Sequence, residues 1–118
     1  MKSLILLIFL AVQAFSNDVS YNRGEMLFFS KGCSSCHGAS AEGSSTYPKL
    51  ANKEEIFIIK KLTNFKAGIA DSVSQQMMAQ FAQKLSAKDI KSLAYFLSHY
   101  KEVEVKDVED DLLGGFGS

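Results

Sequence analysis

Cys33-Ser34-Ser35-Cys36-His37 is the segment whose residue types and spacing dictate chemistry. Two thiols three positions apart on a helical turn can each add across a vinyl group of haem, and the histidine that follows turns its ring to the iron. The chain has no other cysteine, so both thiols are used by one haem. Plainer chemistry competes for the same residues. A structural zinc site needs four ligands, and beyond the two thiols only His37 and the distant His99 remain. A redox-active thiol pair would follow a strand, whereas the residues before Cys33 have helical spacing. Covalent haem is therefore the expected chemistry.

The elements that must hold this segment read as helices. Lys2 and the apolar run 4–12 have the form of a secretory signal, and small residues at Ala14 and Ser16 suit cleavage after Ser16. The run is well short of the ~20 residues that span a bilayer, which disfavours a retained anchor. Export fits the motif, because haem is joined to such thiols outside the bacterial cytoplasm, while an intracellular pair would invite zinc or disulfide chemistry. Ser20 or Asn22 can cap a first helix carrying Gly24, Leu27 and Phe28, which Gly32 ends. Residues 38–47 are small and polar and read as a surface loop, closed by the only proline, Pro48. Asn52 can cap a second helix to about Phe65, with Ile56, Ile59 and Leu62 or Thr63 on one face. A short segment from Asp71 or Ser74 carries Met77 and Met78 towards Leu85. Ser86 and Asp89 form a capping box for a last helix to about Tyr100, with Ile90, Leu93, Ala94, Phe96 and Leu97 inward. No stretch alternates with period two for long enough to make a strand. The expected class is all-α, about four helices around one haem, in a domain spanning 17–101.

Net charge is zero, but it is unevenly spread. From Val19 to Lys101 there are 11 basic and six acidic residues, whereas from Glu102 to Ser118 six acids face Lys106 alone. The body is basic and the 102–118 tail acidic, read as a flexible end or as a segment that folds back on the body or docks to a partner. Dispersed lysines without an arginine cluster exclude a nucleic-acid footprint.

Taken with Tyr47-Pro48-Lys49-Leu50, Phe65-Lys66-Ala67-Gly68, Met78 and the run Leu85-Ser86…Asp89-Ile90…Leu93-Ala94-Tyr95-Phe96, the motif resembles small class I cytochromes c of the bacterial c-553 and c4-like type. The resemblance implies Cys33 and Cys36 as thioether links, His37 as proximal iron ligand and Met78, seven residues before Leu85, as the distal one. Met77, its neighbour, is the second choice. It also implies that the Pro48 carbonyl accepts from His37 and that Gly24 and Phe28 meet the last helix near Leu93 and Phe96. Phe65, Phe81, Tyr95 and Phe96 would wall the haem, Met26 would pack, and His99 would be solvated. The family often has an arginine where this chain has Ile69, so an arginine contact to a propionate is not implied.

With both axial positions filled, the expected function is one-electron transfer in the periplasm, not enzymatic turnover. Partners would be redox proteins: a quinol-oxidising complex as donor and a terminal oxidase or reductase as acceptor, met as a monomer in transient complexes. The alternative is the haem c subunit of a periplasmic dehydrogenase complex. A ligand-binding or peroxidatic haem would require that neither methionine bind iron.

Overall fold

A computed structural model describes residues 2–102, with the backbone alone at 10–16 and 18. The acidic segment beyond Glu102, and the expectations attached to it, lie outside the described residues. The helices are α1 (Lys2–Ser30), α2 (Ser34–His37), α3 (Glu55–Lys66), α4 (Val73–Ala82) and α5 (Ala87–Ser98), with no strand among the described residues. The expected all-α class holds, and the element beyond the expected four is the single turn α2.

The first helix begins far earlier than a cap at Ser20 or Asn22 would set it. No glycine or proline interrupts residues 2–23, so the backbone ladder runs through both positions and their N–H groups need no side-chain acceptor. Among the described residues no helix is long and apolar enough to cross a membrane.

The core forms where α1 crosses α5. Gly24 brings the two backbones together, since a Cβ there would lie 2.1 Å from the Ser92 carbonyl oxygen and 2.5 Å from Phe96 Cβ. One turn on, Phe28 and Phe96 are the largest fully buried side chains, their ring centroids 5.7 Å apart, and Tyr21 sets its edge on Phe96 at 5.1 Å. Burying each phenylalanine contributes about 1.5–3 kcal/mol. The inward set expected for α5, Ile90, Leu93, Ala94, Phe96 and Leu97, is buried throughout. Phe96 is thereby part of the interhelical core rather than a cofactor wall.

Arg23 clamps this crossing, a role its sequence position did not announce. Its guanidinium donates to Ser92 Oγ at 3.1 Å and to Asp89 Oδ1 at 2.5 Å. Asp89 also closes the expected capping box with Ser86. Both guanidinium contacts join α1 to the start of α5.

Helix α3 packs on both α4 and α5 through Ile58, Ile59 and Leu62. Its start differs from expectation. Asn52 is not the cap: it sits at φ +60°, and its N–H donates to the Leu97 carbonyl at 2.8 Å, so the helix begins after Glu54. Ile56 accordingly turns outward, 68% exposed, instead of sharing a face with Ile59. Ser72 caps α4 by accepting from the Gln75 N–H.

Candidate functional site

The attachment segment leaves the core through a tight helix stop. Gly32, at φ +78°, ends α1 with the paired bonds of a Schellman motif: Gly32 N–H to the Phe29 carbonyl at 3.2 Å and Cys33 N–H to the Phe28 carbonyl at 3.0 Å. The Cys33 backbone is thus fastened to a residue that is itself fully buried. The turn α2 follows, closed by His37 N–H to the Cys33 carbonyl at 3.0 Å, and it presents Cys33, Cys36 and His37 together. The two cysteines form no disulfide with each other, and both are half-buried. Burial raises the Cys33 thiol above its ordinary pKa.

His37 is buried, 6% exposed, and its Nδ1 lies 2.9 Å from the Pro48 carbonyl oxygen. A carbonyl only accepts, so this bond places the ring proton on Nδ1 and leaves the Nε2 lone pair for a metal. The Pro48 carbonyl is in turn placed by a stitched loop. Gly43 N–H donates to the His37 carbonyl at 2.8 Å, and Ser44 N–H to the Tyr47 carbonyl at 2.8 Å. At Gly43, φ +68°, a Cβ would press within 2.6 Å of the Tyr47 to Lys49 backbone. Ala41, read from sequence as surface loop, is fully buried at φ +51°, and its carbonyl accepts from both Leu50 and Ala51. Only backbone geometry reveals these supports; the sequence shows a run of small residues.

Both methionines lie inside α4, Met78 half-buried beside buried Ala79 and Met77 52% exposed. α4 packs on α3, away from the α1–α2 turn that carries the thiols, so His37 and Met78 come from separate parts of the fold. The α4 end is held by Lys66, which donates to the Gln83 and Leu85 carbonyls rather than standing free in solvent. Ile69, 56% exposed, supplies no cation where the family often has one. Met26 is 59% exposed on the outer side of α1, so it is not packing. His99 is exposed, stacked on Tyr95 at 4.2 Å with its Nδ1 3.0 Å from the Tyr95 carbonyl oxygen. Among the described residues, no group of three or more His, Cys, Asp or Glu side chains could hold a metal ion.

The attachment turn fits haem c: two thiols on one turn and a buried imidazole with a free nitrogen. The Cytochrome c family model matches residues 21–101. The chain belongs to the cytochrome c family. Its cofactor is one covalently bound haem c. Cytochrome c4 of Azotobacter vinelandii is 28% identical over 85 residues, covering 70% of this chain and 40% of that protein. Cytochrome c-552 of Acidithiobacillus ferridurans is 32% identical over 66 residues, covering 56% of this chain and 27% of that protein. Cytochrome c-554(547) of Halothiobacillus neapolitanus is 31% identical over 77 residues, covering 58% of this chain and 85% of that protein. This cytochrome chain thus spans less than half the length of the first two relatives and most of the third.

Proposed function

We propose that this cytochrome is an exported, periplasmic one-electron carrier whose haem iron is bound by His37 Nε2 and the Met78 thioether. The observation that carries this reading is the His37–Pro48 bond, which fixes the imidazole in the tautomer a metal ligand requires. Haem c supplies a one-electron couple when bound. The chain's own residues do the rest. Cys33 and Cys36 hold the group in a domain too small to enclose it by packing alone. His37 and Met78 occupy the two positions that water, oxygen or substrate would otherwise take, which suits a carrier and not an enzyme. The soft sulfur favours ferrous iron and raises the potential above that of a bis-histidine site. Met78 is preferred to Met77 because it is half-buried while Met77 is exposed.

Residues 1–16 would direct export, and donors and acceptors would be redox proteins such as a quinol-oxidising complex and a terminal oxidase or reductase. Lysines around the body would steer acidic partners into brief complexes. The test is the long-wavelength charge-transfer band of iron–thioether bonding in the oxidised protein. Met78→Ala should lose it and gain carbon monoxide binding, while Met77→Ala keeps it. Loss of the band in Met77→Ala alone, or no band in the parent protein, overturns the ligand assignment.

A further inference from the structure

Helix α3 has two unlike faces. Ile58, Ile59 and Leu62 face the core, while the opposite side carries Ile56 and Phe57, 68% and 49% exposed, with Lys60 and Lys61 beside them. Lys53 continues this stripe one turn before the helix, and the Lys61 ammonium lies 5.8 Å from the Phe57 ring centroid. Large apolar side chains set among lysines, with Glu54 and Glu55 the acids at the near end, suit a ligand that alternates acidic and apolar residues.

This chain contains such a segment. After Glu102 it reads Val103-Glu104-Val105-Lys106-Asp107-Val108-Glu109-Asp110-Asp111-Leu112-Leu113. Leu97, a few residues before this segment, sits at the approach to α3, because its carbonyl accepts from both Asn52 N–H at 2.8 Å and Tyr100 N–H at 3.4 Å, while Lys101 N–H donates to the Tyr21 hydroxyl of α1 at 3.2 Å. One oxygen therefore joins the approach to α3 and the exit of α5. Reach is sufficient: nine extended residues span about 30 Å, and a 12-residue helix is about 18 Å long. A second apolar groove, about 470 Å³ beside Tyr21, Phe29 and Tyr100, offers the acids less, because it sets Glu25 against a single lysine, Lys101.

We propose that segment 103–113 lies along the outer face of α3 in its own chain, its acids on Lys53, Lys60 and Lys61 and its apolar residues on Ile56 and Phe57. There it competes with acidic redox partners for the same lysines. The competition rests on the electron-carrier reading; the docking does not.

Zero-length carbodiimide cross-linking of the full-length, haem-loaded protein, read by mass spectrometry, tests the docking. At about 20 mM salt, tail carboxylates should join chiefly to Lys53, Lys60 and Lys61. The yield should fall at least roughly fivefold at about 500 mM salt, where exposed charges are screened. Ile56→Asn, an exposed change that leaves the core intact, should lower the low-salt yield roughly threefold by removing apolar contact. An equal mixture of isotopically light and heavy protein distinguishes docking within a chain from docking between copies. Cross-links chiefly to Lys31, Lys84, Lys88 or Lys91, cross-links between copies, yields independent of salt, or none at low salt would each overturn the proposal. Failure of the methionine test with these cross-links intact would remove the carrier reading and leave the docking.

Discussion

Gly24→Ala sets two effects of opposite sign against each other, and the geometry decides between them. Alanine in place of a mid-helix glycine favours the helix by about 1 kcal/mol. At Gly24, however, the new methyl would lie 2.1 Å from the Ser92 carbonyl oxygen and 2.5 Å from Phe96 Cβ. Neither obstacle can rotate aside, because one is backbone and the other the root of a fully buried side chain. The crossing must open by more than about an ångström to reach ordinary contact, loosening the Phe28–Phe96 pair and straining the neighbouring Arg23 clamp. Overpacking of this kind costs about 1–3 kcal/mol and occasionally more, and a backbone obstacle puts it at the upper end. After the propensity gain, a net loss of about 2 kcal/mol is expected. For a domain of this size that lowers Tm by about 8–16 °C. Urea unfolding of the haem-loaded protein, followed by helical circular dichroism, measures it. Gly68→Ala is the control, since a Cβ there meets nothing within 4 Å and only its φ of +82° is unfavourable. It should cost about 1 kcal/mol. If Gly24→Ala proved as stable as the parent, or more so, close backbone approach at this crossing would not be what holds α1 on α5.

The Asp89 carboxyl is held below its usual range chiefly by the Ser86 backbone N–H and further by Arg23. Asp89→Ala should therefore cost about 1–2 kcal/mol at neutral pH through the lost cap and clamp. Because the folded pKa is depressed, the parent's advantage is complete above the unfolded carboxylate value and disappears as pH falls through the folded one, which urea titrations from pH 7 downward would show. Gly43→Ala should push the Tyr47–Lys49 backbone outward and withdraw the Pro48 carbonyl from His37, seen as faster solvent exchange of the His37 ring proton; unchanged protection would refute the stitched-loop account.

The parts of the fold legible in the sequence are those fixed by local spacing. The motif Cys33 to His37, the glycine stop at Gly32 and the Ser86–Asp89 box each depend on neighbours within a few residues, and each stands in the structure where its spacing puts it. Errors came where a residue's partner is distant. Asn52 has the type of a helix cap, but the contact of its N–H with Leu97 on another helix accompanies a φ of +60°, outside the β region a cap adopts, so α3 starts after Glu54 and Ile56 faces outward. Ser20 and Asn22 are also cap types, yet a preceding helical turn satisfies their backbone first. Arg23 is a lone cation in sequence, and only the approach of α5 gives it acceptors. The support behind His37 was legible only through Pro48, because the positive-φ backbone at Ala41 and Gly43 leaves little mark on a run of small residues.

These distant contacts are mechanically continuous with the site. The Cys33 N–H hangs from the carbonyl of Phe28, and Phe28 is wedged between α1 and α5 beside the Gly24 contact. The other end of the attachment turn is tied through His37 to the Gly43 loop, and that loop returns by Ala51 and Asn52 to the end of α5. A displacement of α5 therefore reaches the thiols from one side and the imidazole from the other. The thiols and the imidazole of the attachment turn share one support, the α5 backbone between Ser92 and Leu97. It follows that Gly24→Ala, more than ten positions from His37 in sequence, should also speed exchange of the His37 ring proton, whereas Gly68→Ala, outside this loop of contacts, should not.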